Sequence, residues 1–250
     1  MANHDKDELI KRPADAKSRS PAVAFHEEIS SSWDVKYTKA GFRSRSDAFR
    51  RIFDAFSTES QLWLDAGCGS GRLSRLLAER GAVVHGLDAA PGMIANAEAC
   101  VEHVDFGTGC KPTFSVVDSI EALGKPSSSC DGIVCSSVLE YLDFPFQALD
   151  EFSRVLKPGG VLVVSIPNRK SLVRRVQKVM YYLTKRLGLR PWPEYLALSK
   201  NAYACGEFWR ALETRGFVIS HVEPFSSIFP WILERMGASA LLIFVARRRS

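Results

Sequence analysis

Long apolar runs are missing from this sequence. Its most hydrophobic stretch, residues 238–246, is interrupted by Ser239 and stops at three arginines. Nothing approaches the roughly 20 consecutive apolar residues of a membrane span. Residues 1–22 are charged and rich in Pro, Ser and Ala, with no apolar segment of the kind a secretory signal requires. No two of the six cysteines (68, 100, 110, 130, 135 and 205) are spaced C-x-x-C, so neither a disulfide framework nor a zinc ribbon is indicated, and reduced thiols in a cytoplasmic setting are expected. With 17 Gly and 12 Pro in 250 residues, collagen-like and low-complexity classes fall away. A hydrophobic share of 46% against 24% charged excludes a mostly disordered chain. The net charge of +5 is mild, and its distribution matters more than its sum.

What is present is an alternation of strand and helix signals. Phe49, Ile52, Phe53 and Phe56 recur at helical spacing. Apolar strand runs follow at 62–65, 83–88, 113–117, 132–135, 161–166, 217–222 and 241–246, with helices at 73–80, 91–100 and 145–156 between them. Gly81 stands where a helix C-cap belongs, and Pro91 where a helix starts. Such alternation implies parallel βαβ units with right-handed crossovers. The short 223–240 connection favours an antiparallel last strand. The expectation is an α/β fold: a doubly wound, Rossmann-like, seven-stranded and mostly parallel sheet with an antiparallel last strand, plus a helical lid. Residues 1–22 are expected to be a disordered tail, 23–47 the N-terminal lid, and 48–250 the sheet domain with a basic helical insertion at 168–200.

The most specific signal is Leu62-Trp63-Leu64-Asp65-Ala66-Gly67-Cys68-Gly69-Ser70-Gly71. A dinucleotide loop would read G-x-G-x-x-G. Here Arg72 stands where that pattern wants its last glycine, and Asp65 would repel a pyrophosphate. A carboxylate at that place suits a ligand carrying an amino cation. Val84-His85-Gly86-Leu87-Asp88 ends the second strand in an acid able to accept from ribose hydroxyls, and the third ends at Asp118-Ser119.

These residues resemble the cofactor loop and strand ends of class I S-adenosylmethionine-dependent methyltransferases. Cys130–Leu142 and the R-V-L-K-P-G-G segment (154–160) are similar to that family's fourth strand and the turn before its fifth. The resemblance covers residues 48–168 strongly and 216–247 in outline, and the subgroup looks like the small-molecule methyltransferases of quinone biosynthesis. It implies S-adenosyl-L-methionine as cofactor, held by Asp65, Gly67, Cys68, Gly69, Gly71, Asp88, Ala89, Met93, Asp118, Ser119 and Ser136, with Trp33 and Tyr37 closing over the sulfonium by cation–π contact. Asp88 as a helix N-cap and Met93 as a core residue remain the plainer readings of those two.

The sulfonium supplies a good neutral leaving group, so the protein's main task is to hold an acceptor in line. A base is useful for phenols and alcohols. Of the five histidines, His26 in the lid and His221 near the end of the sixth strand are the candidates. His85 is expected to face the core, and His103 the surface. Many relatives carry a histidine where this chain has Tyr141, which makes Tyr141 a candidate for orienting the acceptor. Some place metal ligands at the positions of Ser137, Glu140 and Tyr141, where only Glu140 can ligate, so no metal is expected.

Residues 168–190 hold eight basic side chains and no acid, with Leu172, Val173, Val176, Val179, Met180, Leu183 and Leu187 forming an apolar stripe. Three readings compete: a lid helix with its apolar face on the core, docking on an anionic membrane surface, or recognition of an anionic acceptor. Nucleic acid is not indicated, and oligomeric state is not legible. The loop at 225–237 is rich in large apolar groups suited to an acceptor pocket. The chain is read as a methyltransferase of a small apolar or amphipathic acceptor. The alternatives are an anionic isoprenoid or glycan-linked acceptor, or a non-catalytic membrane-peripheral module that kept the cofactor fold.

Overall fold

A computed structural model describes residues 20–33, 40–56, 58–107, 109–226 and 239–250. The strands are β1 (Leu62–Ala66), β2 (Val83–Asp88), β3 (Thr113–Val116), β4 (Cys130–Ser136), β5 (Leu156–Pro167), β6 (Phe217–Phe225) and β7 (Leu241–Arg248). They form one sheet in the order β3-β2-β1-β4-β5-β7-β6. The first five pair in parallel, and β7 slots antiparallel between β5 and β6. The expected class therefore holds. β5 and β6 run longer than expected, because β5 begins at Leu156, pairs with Cys130 and resumes after a bulge. Lys157 lies on the β5 extension, and Arg247 and Arg248 at the end of β7, at the edge away from the glycine loop.

Period-2 alternation divides the core between two faces. Leu64, Ile133 and Cys135 pack with α5 (Pro145–Val155) and α7 (Cys205–Glu213), while Trp63, Val134 and Val163 pack with α2 (Ala40–Asp54) and α3 (Arg72–Ala78). Phe49, Phe53 and Phe152 are fully buried, each contributing about 1.5–3 kcal/mol of burial. α4 (Pro91–Val101) covers β2 and β3.

The lid begins earlier than expected. α1 (Pro21–Ile29) is N-capped by the Ser20 hydroxyl, which accepts from Val23 N, and Ala22 is buried. Pro21 and Ala22 are thus helix rather than tail, with Ser20 as its cap. Nor does the lid end at 47, since α2 runs unbroken from Ala40 into the buried Phe49 and Phe53. α1 is tied to α4 by Gly92 N donating to Glu27 Oε2 at 2.8 Å and by Asn96 Nδ2 donating to Ser30 O at 3.0 Å.

The insertion after β5 is pinned at its base, where Arg169 N donates to Tyr203 O and Tyr203 N to Pro167 O. It contains α6 (Leu172–Arg186), capped by Ser171 Oγ, which accepts from Arg174 N. Its apolar stripe does not pack on the core: Val176, Val179, Leu183 and Leu187 are all exposed. No helix among the described residues is long and apolar enough to cross a membrane. Most of the apolar 225–237 loop lies outside the described residues.

Candidate active site

Strand order reverses between β1 and β4, and the crevice at their carboxyl ends is where an open α/β sheet binds ligands. The glycine loop fills that edge. Gly67 N and Cys68 N donate to Leu87 O at 2.7 and 3.0 Å, which fastens the loop to β2. Gly67, Gly69 and Gly71 all have positive φ. They differ in why a side chain is excluded. A Cβ on Gly67 would lie 2.2 Å from Val138 Cγ2, so the β4 loop requires glycine there. A Cβ on Gly69 would meet only Trp33 Nε1, at 3.7 Å, so Gly69 faces the crevice under the lid.

Asp65 is buried and accepts from Ser74 Oγ at 2.7 Å. It sits beneath the loop rather than open to the crevice, and burial pushes its carboxyl up to about 7. Asp88 accepts from Gly69 N and from Ala90 N, both at 2.9 Å. The acid at the end of β2 thus braces the glycine loop and also caps the turn into α4. Burial raises it too, outweighing the lowering by the backbone bonds from Ala90 and Gly69 and by the nearby His26. Of the two acids, Asp88 is the one at the loop's edge of the crevice, where a carboxylate suits a cation.

The other expected cofactor residues scatter in role. Ala89 is half-buried beside Asp88, and Met93, on the buried side of α4, is 1% exposed. Asp118 is exposed two residues beyond β3, while Ser119 Oγ is bonded to Glu121 in a local turn. Cys68 is buried, and burial with the two acids holds its thiol far above the ordinary range, so it is inert. Tyr37 lies outside the described residues.

The N-terminal segment brings two rings together, His26 and Trp33, and sets His26 against Tyr141 of the loop after β4. His26 meets Trp33 at 5.5 Å between centroids and Tyr141 at 5.2 Å, both edge-on. His26 Nδ1 lies 2.7 Å from Ala22 O. A carbonyl only accepts, so the proton is on Nδ1, and Nε2 is left with its lone pair and no partner among the described residues. Burial raises the Tyr141 phenol well above its usual range, so it acts as a hydrogen-bond donor rather than a base.

The other histidines are elsewhere. His85 bonds Ser115 Oγ and lies 3.2 Å from Lys125. His103 is exposed. His221, expected at the pocket edge, is exposed on the outer strand β6 and pairs with Glu223 at 3.0 Å. Four strand spacings of about 4.8 Å separate it from β1, so it takes no part.

Two features were not legible in the sequence. Arg45, on α2, donates from Nη2 to Ser136 Oγ and to Ser137 Oγ, the latter at 2.9 Å. It has no carboxylate partner among the described residues. Ser137 is a non-glycine residue at φ +57°, held there by its N–H donating to Ser165 Oγ at 3.0 Å. Among several arginines on α2, no spacing marks Arg45; only docking of α2 on the β4 end selects it.

Glu140, the remaining candidate metal ligand, is committed elsewhere. Its carboxylate accepts from Arg174 Nη2 at 2.8 Å and from Ser199 Oγ at 2.9 Å. Its backbone carbonyl accepts from Lys200 N and Asn201 N, and Asn201 Nδ2 donates to Leu139 O and Leu142 O. The insertion thereby positions the loop that carries Tyr141.

Comparison with known proteins agrees with this architecture. Residues 64–164 match the family model described as a methyltransferase domain. A ubiquinone biosynthesis O-methyltransferase of Xylella fastidiosa is 36% identical over 106 residues, and a probable S-adenosylmethionine-dependent methyltransferase of Mycolicibacterium smegmatis 37% identical over 106. The matched stretch is 42% of this chain in both cases, and spans 42% and 38% of those relatives. Among solved structures, magnesium protoporphyrin IX methyltransferase from Synechocystis PCC 6803 with bound SAH aligns with a TM-score of 0.67 at 22% identity, over 91% of this chain and 99% of that one. A putative methyltransferase in complex with the Trm112 activator of Haloferax volcanii gives 0.67 at 20%, covering 90% and 98%. The fold is that of the class I S-adenosylmethionine-dependent methyltransferases.

Proposed function

We propose that this chain is an S-adenosylmethionine-dependent methyltransferase that transfers a methyl group to an oxygen of a small, amphipathic acceptor. The observation that carries the cofactor reading is the charge layout of the crevice. The cofactor bears a sulfonium, an α-ammonium and an α-carboxylate. Asp88 favours the cations, and Arg45, cationic and bonded among the described residues only to serine hydroxyls, suits the carboxylate. Gly69 leaves backbone open for close approach, and Trp33 covers it. Asp88 keeps lone pairs beyond its two backbone bonds for ribose hydroxyls. The relatives' printed activity, O-methylation, supports an oxygen acceptor.

The bound cofactor supplies an electrophilic methyl on a neutral leaving group. This chain's part is to align and to handle one proton. His26 Nε2, without a partner among the described residues and on a ring 5.2 Å from that of Tyr141, takes the acceptor's hydroxyl proton, while the Tyr141 phenol donates to the acceptor and fixes its orientation. The lid excludes water, which strengthens attraction between an oxyanion and the sulfonium.

Calorimetry with S-adenosylhomocysteine and turnover on a panel of phenols, quinols and amines test this reading. Arg45→Ala is expected to weaken cofactor binding about tenfold or more, the loss of a charge-assisted pair. Unchanged affinity would remove Arg45 from the cofactor site, and no binding by the unaltered protein would sink the methyltransferase assignment.

A second reading concerns where the acceptor comes from. The exposed apolar stripe of α6, flanked by Arg175, Lys178, Lys185 and Arg186, fits the surface of an anionic bilayer, from which a lipid-soluble acceptor would reach the crevice beside it.

A further inference from the structure

Beneath the start of α6, a cavity of about 60 Å³ opens between that helix and residues 199–202. Five of its ten lining residues are cationic and none is acidic. Three of those cations have partners outside the lining: Arg169 with Glu207, Lys200 with Asp143, and Arg174 with Glu140. Arg175 and Lys178 form no ion pair among the described residues and are exposed.

Arg174 is the informative residue. It is only 8% exposed, and both of its side-chain hydrogen bonds, to Glu140 and Ser199, leave from Nη2. Nε and Nη1 donate to nothing among the described residues, yet neither is a sealed, unsatisfied atom. A guanidinium fixed by a buried carboxylate on one nitrogen, with two further donors turned to a cation-lined hollow, is a preorganised anion receptor.

We infer that this cavity binds a phosphate-type anion. Resting on the methyltransferase reading, it would hold the anionic group of the acceptor while the acceptor's hydroxyl lies by Tyr141. The link is short: Glu140, which orients Arg174, is the chain neighbour of Tyr141. Its backbone carbonyl is held by the same 199–202 segment that walls the cavity. A phosphate-bearing tail in the cavity would thus be registered against the crevice by one rigid loop. A phospholipid headgroup and a free phosphorylated or diphosphorylated compound present the same chemistry here.

The test titrates the full chain with inorganic pyrophosphate by calorimetry, with S-adenosylhomocysteine titrated in parallel. Saturable one-to-one binding of pyrophosphate is expected. The Arg175→Ala/Lys178→Ala double variant should weaken it about tenfold or more, whereas Lys185→Ala/Arg186→Ala, equal in charge and at the other end of the helix, should leave it unchanged. No saturable binding, or equal weakening in both doubles, overturns the site. S-adenosylhomocysteine bound without pyrophosphate sinks the anion site alone, and the converse sinks the cofactor reading alone. Vesicles of phosphatidylglycerol then separate the sources. Release of the protein from them by excess pyrophosphate assigns the anion to a lipid headgroup. Pyrophosphate binding with vesicle association absent or undisturbed assigns it to a free phosphorylated acceptor.

Discussion

His26 owes its proposed role to one hydrogen bond. Because Ala22 O takes the Nδ1 proton, the basic nitrogen is Nε2, on a ring that packs edge-on against Tyr141. His26→Asn is expected to lower kcat by about 10²- to 10⁴-fold, the usual worth of general-base catalysis, with S-adenosylhomocysteine affinity little changed. A variant with full turnover would leave the lid histidine a packing residue. Asp65 gives a second prediction at this scale. Its carboxyl is raised from 3.8 to about 7 by burial, so the folded state binds a proton that the unfolded chain releases between those values. The stability it contributes is complete below about pH 4 and is lost as pH rises through about 7. Thermal midpoints across pH 5–8 should fall more steeply in the unaltered protein than in Asp65→Asn. Parallel curves would show that Asp65 does not titrate there.

Among the elements, α6 is anchored by its first turn and tied further along by Tyr195 Oη donating to Gln177 and Trp192 N to Thr184, while its apolar stripe stays exposed. The Arg174–Glu140 pair is buried on both sides, at 9% and 5% side-chain exposure. Arg174→Ala strands a buried carboxylate and is expected to cost about 3–5 kcal/mol in urea unfolding. Arg174→Met with Glu140→Leu, which removes both charges, should recover most of that loss. If the single and double variants are equally destabilised, the pair contributes through packing alone. The element also decides against one of the three readings of its stripe, the core-facing one, since Val179 and Leu187 stand about two-thirds exposed. Periodicity reports that a helix has an apolar side; it does not report what that side meets.

For the whole molecule, an exposed apolar stripe and a cationic margin beside the sheet's carboxyl edge predict a surface that meets a membrane. Co-sedimentation with phosphatidylglycerol vesicles, but not phosphatidylcholine vesicles, is expected, falling with salt as screening grows. Val179→Asp with Leu183→Asp should abolish it without altering S-adenosylhomocysteine binding. Equal recovery on both vesicle types, or none on either, would leave the stripe without this role.

Much of this architecture is local in origin and therefore readable along the chain. The glycine loop, the acids closing β1 and β2, and strand–helix alternation depend on backbone conformations and periodicities that a short segment dictates by itself. The antiparallel last strand was readable for a related reason, since its connection is too short for a full crossover. Tertiary structure alone decided the rest. It set Arg45 against the serines of β4 across 91 residues of chain, laid the His26 ring on Tyr141, turned Asp65 under the loop, and pointed Arg174 into a hollow. Those pairings rest on docking between distant elements. One arginine among many becomes distinct only when burial takes away water and leaves it a particular set of partners.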